Sequence, residues 1–246
     1  MRAFLTGEWR DLAMLNWAVD PALLQPYVPR GTELDTFDGR AFVSLVGFRF
    51  LDTRVLGIPV PWHRNFDEVN LRIYVRREVQ DEVRRAVTFI RELVPRRLIA
   101  AAARLTYNEP YRSAPMRHSL TGGADSSPRS AEYAWRIGRG WAGLHIDAYG
   151  AGAKVAEGSE EEFITEHYWG YTRQRDGSTV EYRVEHPRWR VWRATTSSVF
   201  GGLSAVYSDE FARVLAQPTT SAFIADGSAV RVGWPSRLGA ESESPG

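Results

Sequence analysis

Val69-Asn70-Leu71-Arg72-Ile73-Tyr74-Val75-Arg76 alternates strictly between apolar and polar positions. In an extended chain Val69, Leu71, Ile73 and Val75 point one way, and Asn70, Arg72, Tyr74 and Arg76 point the other. Such a strand buries one face. Its polar face is either solvated or turned into the lumen of a barrel. A second alternating run sets Val180, Tyr182 and Val184 against Glu181, Arg183 and Glu185. Asp176-Gly177 precedes it and reads as the turn of a hairpin joining residues 168–173 to 179–185. Asp38-Gly39 predicts a similar hairpin between 32–37 and 40–51. Further strands are expected over 9–19, 88–94, 131–137, 144–149, 188–194, 221–224 and 229–232.

Helices are few. Asp20-Pro21 supplies an N-cap and a first-turn proline for a short helix ending near Pro29. An Ala-rich helix is expected over 98–105. Ser159 with Glu162 reads as a capping box opening a helix that runs to about His167. Phe211, Val214 and Leu215 have helical spacing within 209–217, and 122–130 reads as a polar loop. The pattern predicts an α+β, mostly β protein: a large antiparallel or mixed sheet with a few short helices. Residues 3–234 read as one domain, and 236–246 as a disordered tail.

Composition excludes several chemistries. There are no cysteines, so no disulfide, thiolate zinc site or cysteine nucleophile exists. A net charge of +1 gives no overall field toward nucleic acid or an anionic membrane. No apolar run is long enough to span a bilayer, and the first residues lack the apolar core of a signal peptide. Cytoplasmic residence is the expectation. Lys154 is the sole lysine, beside 30 arginines. Any Schiff-base chemistry must use Lys154 or the amino terminus. Neither Gly122-Gly123 nor Gly201-Gly202 forms a phosphate loop, and no Gly-x-Ser-x-Gly elbow is present. The histidines 63, 118, 145, 167 and 186 lack metal-ligand spacing. No cofactor and no metal are therefore expected.

Several blocks lie in order over about residues 4–230: Glu8-Trp9-Arg10-Asp11, Val19-Asp20-Pro21, Tyr27-Val28-Pro29-Arg30-Gly31-Thr32, Glu68-Val69-Asn70-Leu71-Arg72, Arg91-Glu92-Leu93-Val94-Pro95-Arg96-Arg97, Tyr107-Asn108-Glu109-Pro110-Tyr111 and Glu166-His167-Tyr168-Trp169-Gly170-Tyr171. Together they resemble the YqjF-like family of the acetoacetate decarboxylase-like superfamily. The resemblance implies a sheet closed into a cone-like β-barrel around a central cavity. In the decarboxylases an Arg-Glu-Leu strand end is followed by Pro-Lys-Lys, and one of those lysines forms the Schiff base. Here Arg96 and Arg97 stand at both lysine positions. A guanidinium stays protonated near neutral pH and cannot serve as that amine. The resemblance also implies that Arg10, upstream of Val28-Pro29, holds a substrate carboxylate.

Arg10, Arg72 and Arg96 are thus the candidate substrate-binding residues, since a guanidinium offers a planar fork of donors to an anion. The competing reading makes Arg72 part of a solvated strand face and Arg96 part of a surface turn. Glu92, on an apolar strand, and His167, beside Glu166 and ahead of aromatic residues, are the candidate acid–base pair. A structural ion pair for Glu92, with an arginine as partner, and a packed histidine are the alternatives. Glu68, Glu109 and Glu166 are further acids or bases to consider. Three readings follow. One is an enzyme acting on a small anionic or keto/enol metabolite without a Schiff base. The second is a protein that binds or senses such a molecule without chemistry. The third is a structural protein whose barrel is filled by side chains. The expected partner is a small-molecule ligand, not nucleic acid or membrane, and a homo-oligomer stays open.

Overall fold

The computed structural model describes residues 3–60, 64–96, 106–122 and 128–238. The first half contains β1 (Leu5–Val19), α1 (Pro21–Leu24), β2 (Glu33–Leu34), β3 (Ala41–Val55), β4 (Ile58–Pro59), β5 (Phe66–Val79) and β6 (Glu82–Val94). Next come β7 (Tyr111–Ser113), β8 (Met116–Thr121), β9 (Arg129–Ile137), β10 (Gly140–Ala148) and β11 (Ala153–Lys154). The last third holds α2 (Glu160–Thr165), β12 (Trp169–Arg173), β13 (Thr179–Glu185), β14 (Arg190–Phe200), α3 (Asp209–Leu215), β15 (Ser221–Val232) and β16 (Ser236–Arg237).

Hydrogen-bonded neighbours run β16-β13-β12-β6-β5-β3-β1-β15-β14-β10-β9-β8. A second pairing joins Val184 to Val232 and Glu185 to Arg231, so β13 also meets β15. The ladder from β13 through β12, β6, β5, β3, β1 and β15 therefore returns on itself. Most pairs are antiparallel; β12 and β7 each run parallel to β6. Strands β8, β9 and β10 pass over the outer side of β1, β3 and β5.

The alternation of β5 decides which side is which. Val69, Leu71 and Ile73 join Ala13, Leu15, Val43 and Leu45 in a core closed by Tyr133, Trp135, Leu144 and Ile146 of the outer strands. A side chain at Gly47 would meet the Tyr133 ring at 2.7 Å, so that approach requires glycine. The opposite faces carry Leu12, Met14, Phe42, Val46, Phe48 and Tyr74.

Two irregularities re-phase this alternation. Asp11 has φ 55°, and the β1–β3 register slips between Arg10 and Ala13. This bulge lets both Trp9 and Leu12 face the inner side. On β6, Leu71 opposes Arg91 while Arg72 opposes Phe89, leaving Ile90 as the extra residue.

Helix α1 starts as expected, with Asp20 accepting from Ala22 N at 2.9 Å. Helix α2 is capped by Ser159, which accepts from Glu162 N at 3.1 Å, and ends two residues before His167. Three expectations are corrected. The 32–37 run does not zip against β3: Glu33 and Leu34 pair with β5, and only Phe37 bridges to Arg40. Residues 221–232 form one strand rather than two, with Gly227 at φ 75° inside it. Ser236 and Arg237, placed in the tail, pair with β13. The expected helix over 98–105, Arg97 and most of the 122–130 loop lie outside the described residues.

Candidate functional site

The inner faces surround a cavity of about 560 Å³. That is the size of a small-molecule site. Most of its wall is apolar and aromatic, with Trp9, Phe48, Phe50, Phe66, Phe89 and Trp189 among the lining residues. Among the described residues the interior is not filled by side chains.

Two polar groups stand in this wall, and β5 contributes to both. The first comprises Glu68, Glu92 and Glu109, at 3%, 1% and 6% exposure. Glu68 and Asn70 come from the polar face of β5, and Asn70 Nδ2 donates to Glu68 Oε1 at 3.3 Å. Glu92 reaches the cavity because of the Ile90 bulge; unbroken alternation from Phe89 would have turned Arg91 inward instead. Glu109 follows Asn108, which takes the left-handed conformation at φ 58° and ties its amide to Arg173 O at 3.1 Å. Tyr111 donates to Glu68 Oε2 at 3.2 Å, and the Tyr182 hydroxyl donates to Glu109.

Among the described residues no arginine pairs with Glu92, contrary to expectation, and its charged surroundings are the other two carboxyls. Burial and the charges of Glu109 and Glu68 hold its pKa well above the carboxylate range. Burial first, then Glu109, raises Glu68 to about 8. Burial raises Glu109 to about 7. At neutral pH Glu68 and Glu92 are therefore protonated and Glu109 is about half ionised, because buried carboxyls with no cation beside them among the described residues cannot all ionise. Glu92 Oε2 and Asn70 Oδ1 are buried and have no hydrogen-bond partner among the described residues.

The second group lies farther along β5. Arg72 is 9% exposed. Its Nε donates to Tyr74 Oη at 3.3 Å and its Nη2 to Ile164 O at 3.1 Å. Tyr74 in turn donates to Ser44 at 2.7 Å, and Ser44 to Asn16 at 2.6 Å. This chain of hydroxyls fixes the guanidinium, which has no carboxylate within ion-pair distance among the described residues.

His167 follows α2 and packs on Tyr74, with ring centroids 4.7 Å apart. Its Nε2 lies 3.3 Å from Asp35 Oδ2, and Arg85 Nε binds the same oxygen at 2.8 Å. Burial, and secondarily the charges of Arg85 and Arg72, lower His167 to about 4, leaving it neutral at pH 7. Asp35 opposes its own burial through bonds from His167 and Arg85 and stays below its usual pKa. A carboxylate facing Nε2 selects the tautomer that donates there. His167 Nδ1 is then a buried lone pair with no partner among the described residues.

Arg72, Glu92 and His167 thus line one cavity, whereas Arg10 and Arg96 do not. Trp9 faces inward, so its neighbour Arg10 faces the other way, held by Glu8 at 2.9 Å and Gly227 O at 3.4 Å. Arg96 lies beyond the end of β6 and is exposed. Glu166 is buried but pairs with Tyr168 and Arg188 outside the cavity lining. Lys154 is exposed on β11 and also absent from the lining. The remaining described histidines outside the cavity, His118 and His145, sit beside Asp67 and Asp147. Among the described residues no group of side chains could hold a metal ion. Sequence reasoning gave Asp35 no role in the site. It also missed Tyr111 and Tyr182 as partners of the acids.

Glycine is required beside Tyr182. A Cβ at Gly170 would run into the Tyr182 ring and hydroxyl. Gly170→Ala should lose about 2 kcal/mol by overpacking and loosen the bond to Glu109. Urea unfolding of the variant checks this; unchanged stability would show that Tyr182 moves freely.

Comparison with known proteins agrees with this architecture. The profile of DUF2071, described as an uncharacterized conserved protein, matches residues 6–229. The uncharacterized protein YqjF of Bacillus subtilis (strain 168) is 33% identical over 117 residues, covering 47% of this chain and 47% of YqjF. The matched stretch spans about half of that relative. Acetoacetate decarboxylase from Legionella pneumophila superposes with a TM-score of 0.65 at 12% identity, covering 95% of this chain and 86% of that one. The enduracididine biosynthesis enzyme MppR, solved with pyruvate, gives 0.67 at 11% identity, covering 98% and 93%. At these identities the structural likeness concerns the fold. Among the described residues no helix is long and apolar enough to cross a membrane.

Proposed function

The chain belongs to the DUF2071 family of uncharacterized conserved proteins, and from that premise we propose that it binds a small anionic or keto/enol metabolite in the central cavity. The closed ladder is read as a cone-like barrel with the cavity as its lumen. One observation carries the proposal: Arg72 is a buried, rigidly held cation with no carboxylate in reach among the described residues. A buried unpaired charge is costly, and a ligand carboxylate or enolate at Arg72 would offset that cost. Pyruvate, the ligand named for the MppR structure of similar fold, is a molecule of this class. A thermal-shift panel of 2-oxo and 3-oxo acids tests the proposal, since a ligand that binds only the folded state raises the melting temperature. Carboxylates should raise it and matched amides should not.

The Asp35–His167 pair favours a second reading, in which the cavity also moves a proton. His167 Nδ1 would take a proton from the carbon next to the ligand carbonyl. The C–H electron pair would form the enolate, whose charge Arg72 would hold, and the proton would return to carbon. An anion at Arg72 cancels one of the charges that depress His167, so binding would make the base stronger. Exchange of that hydrogen for deuterium in D₂O, lost in His167→Gln, distinguishes this from binding alone.

Neither reading uses an imine. Treatment with acetoacetate and borohydride should leave the intact mass unchanged. An adduct on Lys154 together with release of carbon dioxide would contradict this.

A further inference from the structure

We propose that the far end of the ligand carries a cation, an amine or a guanidinium, received by Glu68, Glu92 and Glu109 while its anionic end rests on Arg72. This deepens the binding reading above and rests on it. The geometry is bipolar. Glu68 and Arg72 are four residues apart on one strand and line the same cavity, so their Cα atoms are about 13 Å apart. The Arg72 side chain turns toward Tyr74, away from Glu68.

The acid cluster has unused capacity. Among the described residues Glu92, 1% exposed, keeps Oε2 without a partner, and Asn70, 3% exposed, keeps Oδ1 without one. Both line the cavity; Asn70 Oδ1 is an acceptor, and Glu92 Oε2 becomes one once a bound cation expels the proton of its carboxyl. An ammonium supplies three donors and a guanidinium five, whereas a second carboxylate supplies none. Tyr107, Tyr111 and Tyr182 stand around the cluster and can present ring faces to a cation. Glu68 and Glu92 are held protonated by burial and by the neighbouring carboxyls. A bound cation would reverse that and expel a proton.

The test is isothermal titration calorimetry with 6-aminohexanoate, hexanoate and adipate at pH 7.5, repeated in two buffers of different ionisation enthalpy. We expect 6-aminohexanoate to bind at least ten-fold more tightly than hexanoate or adipate, with net proton release that hexanoate does not show. Glu92→Gln and Glu109→Gln should remove most of that preference while hexanoate binding persists. If either variant fails to fold, the wild-type preference and proton count still decide. Equal or tighter binding of hexanoate would overturn the cationic end and leave cavity binding standing. Failure of all three probes would also overturn it, and the keto-acid panel then shows separately whether the binding reading falls.

Discussion

Raising the pH from 6.5 to 8 should lower the stability of the protein by about 2 kcal/mol. Glu68 and Glu109 have folded pKa values of about 8 and about 7, raised from the ordinary carboxyl range near 4.5. A carboxyl raised in this way binds its proton more tightly in the folded state. Its contribution is fully present below its unfolded pKa and is lost as the pH climbs through the folded value. Glu92 is raised too and acts in the same direction. His167 acts in the opposite sense: lowered from 6.5 to about 4, it costs stability only as the pH falls below its unfolded value. His186, also lowered, behaves likewise. From 6.5 to 8 each histidine recovers only about 0.4 kcal/mol, so the acids set the sign of the change. Glu68→Gln and Glu92→Gln should flatten the slope and be more stable than the parent at pH 8. Urea denaturation at both pH values measures this. Stability that holds level or rises would mean that the three carboxyls are already ionised and compensated.

Arg72→Met should weaken binding of a keto acid by about 100-fold or more, since truncating one partner of a buried charge pair costs about 2–5 kcal/mol. The variant should fold, because methionine fits an apolar wall and removes an unpaired buried charge. Arg72→Lys should recover part of the affinity: the charge returns, but the bonds to Tyr74 and Ile164 that orient the fork do not. Arg96→Ala should leave the affinity within two-fold of the parent, because Arg96 is exposed beyond β6. Titration calorimetry of all three variants measures the ranking. A loss in Arg96→Ala equal to that in Arg72→Met would move the anion site out of the cavity.

Much of this architecture was legible in the sequence. The alternation from Val69 to Arg76 identified a strand with one polar face and left open whether that face is solvated; the fold turns Asn70 and Arg72 into the cavity. The Asp176-Gly177 hairpin, the Ser159 cap and the Asp20-Pro21 helix start each follow from local chemistry that tertiary contacts reinforce. The departures share a cause. Glu92 enters the cavity because Ile90 is extruded from the β5–β6 ladder, and Arg10 stays out because Trp9 faces in; a bulge changes side-chain phase without a residue type that announces it. Thr32 to Phe37 followed a sound turn signal, yet Glu33 and Leu34 found β5 as a partner across space. The acid cluster joins residues from β5, β6 and the Tyr107–Tyr111 turn. Asp35 meets His167 across 132 positions of chain. Convergence of that kind is a property of the closed ladder, and no local pattern records it.

The most direct test of the central claim is a crystal structure of the protein soaked with the oxo acid that most raises its melting temperature. The account predicts density in the cavity with the carboxylate on the Arg72 guanidinium and the neighbouring carbon facing His167 Nδ1. An empty cavity, or a ligand held at Arg10 or Arg96 on the outer surface, would contradict it.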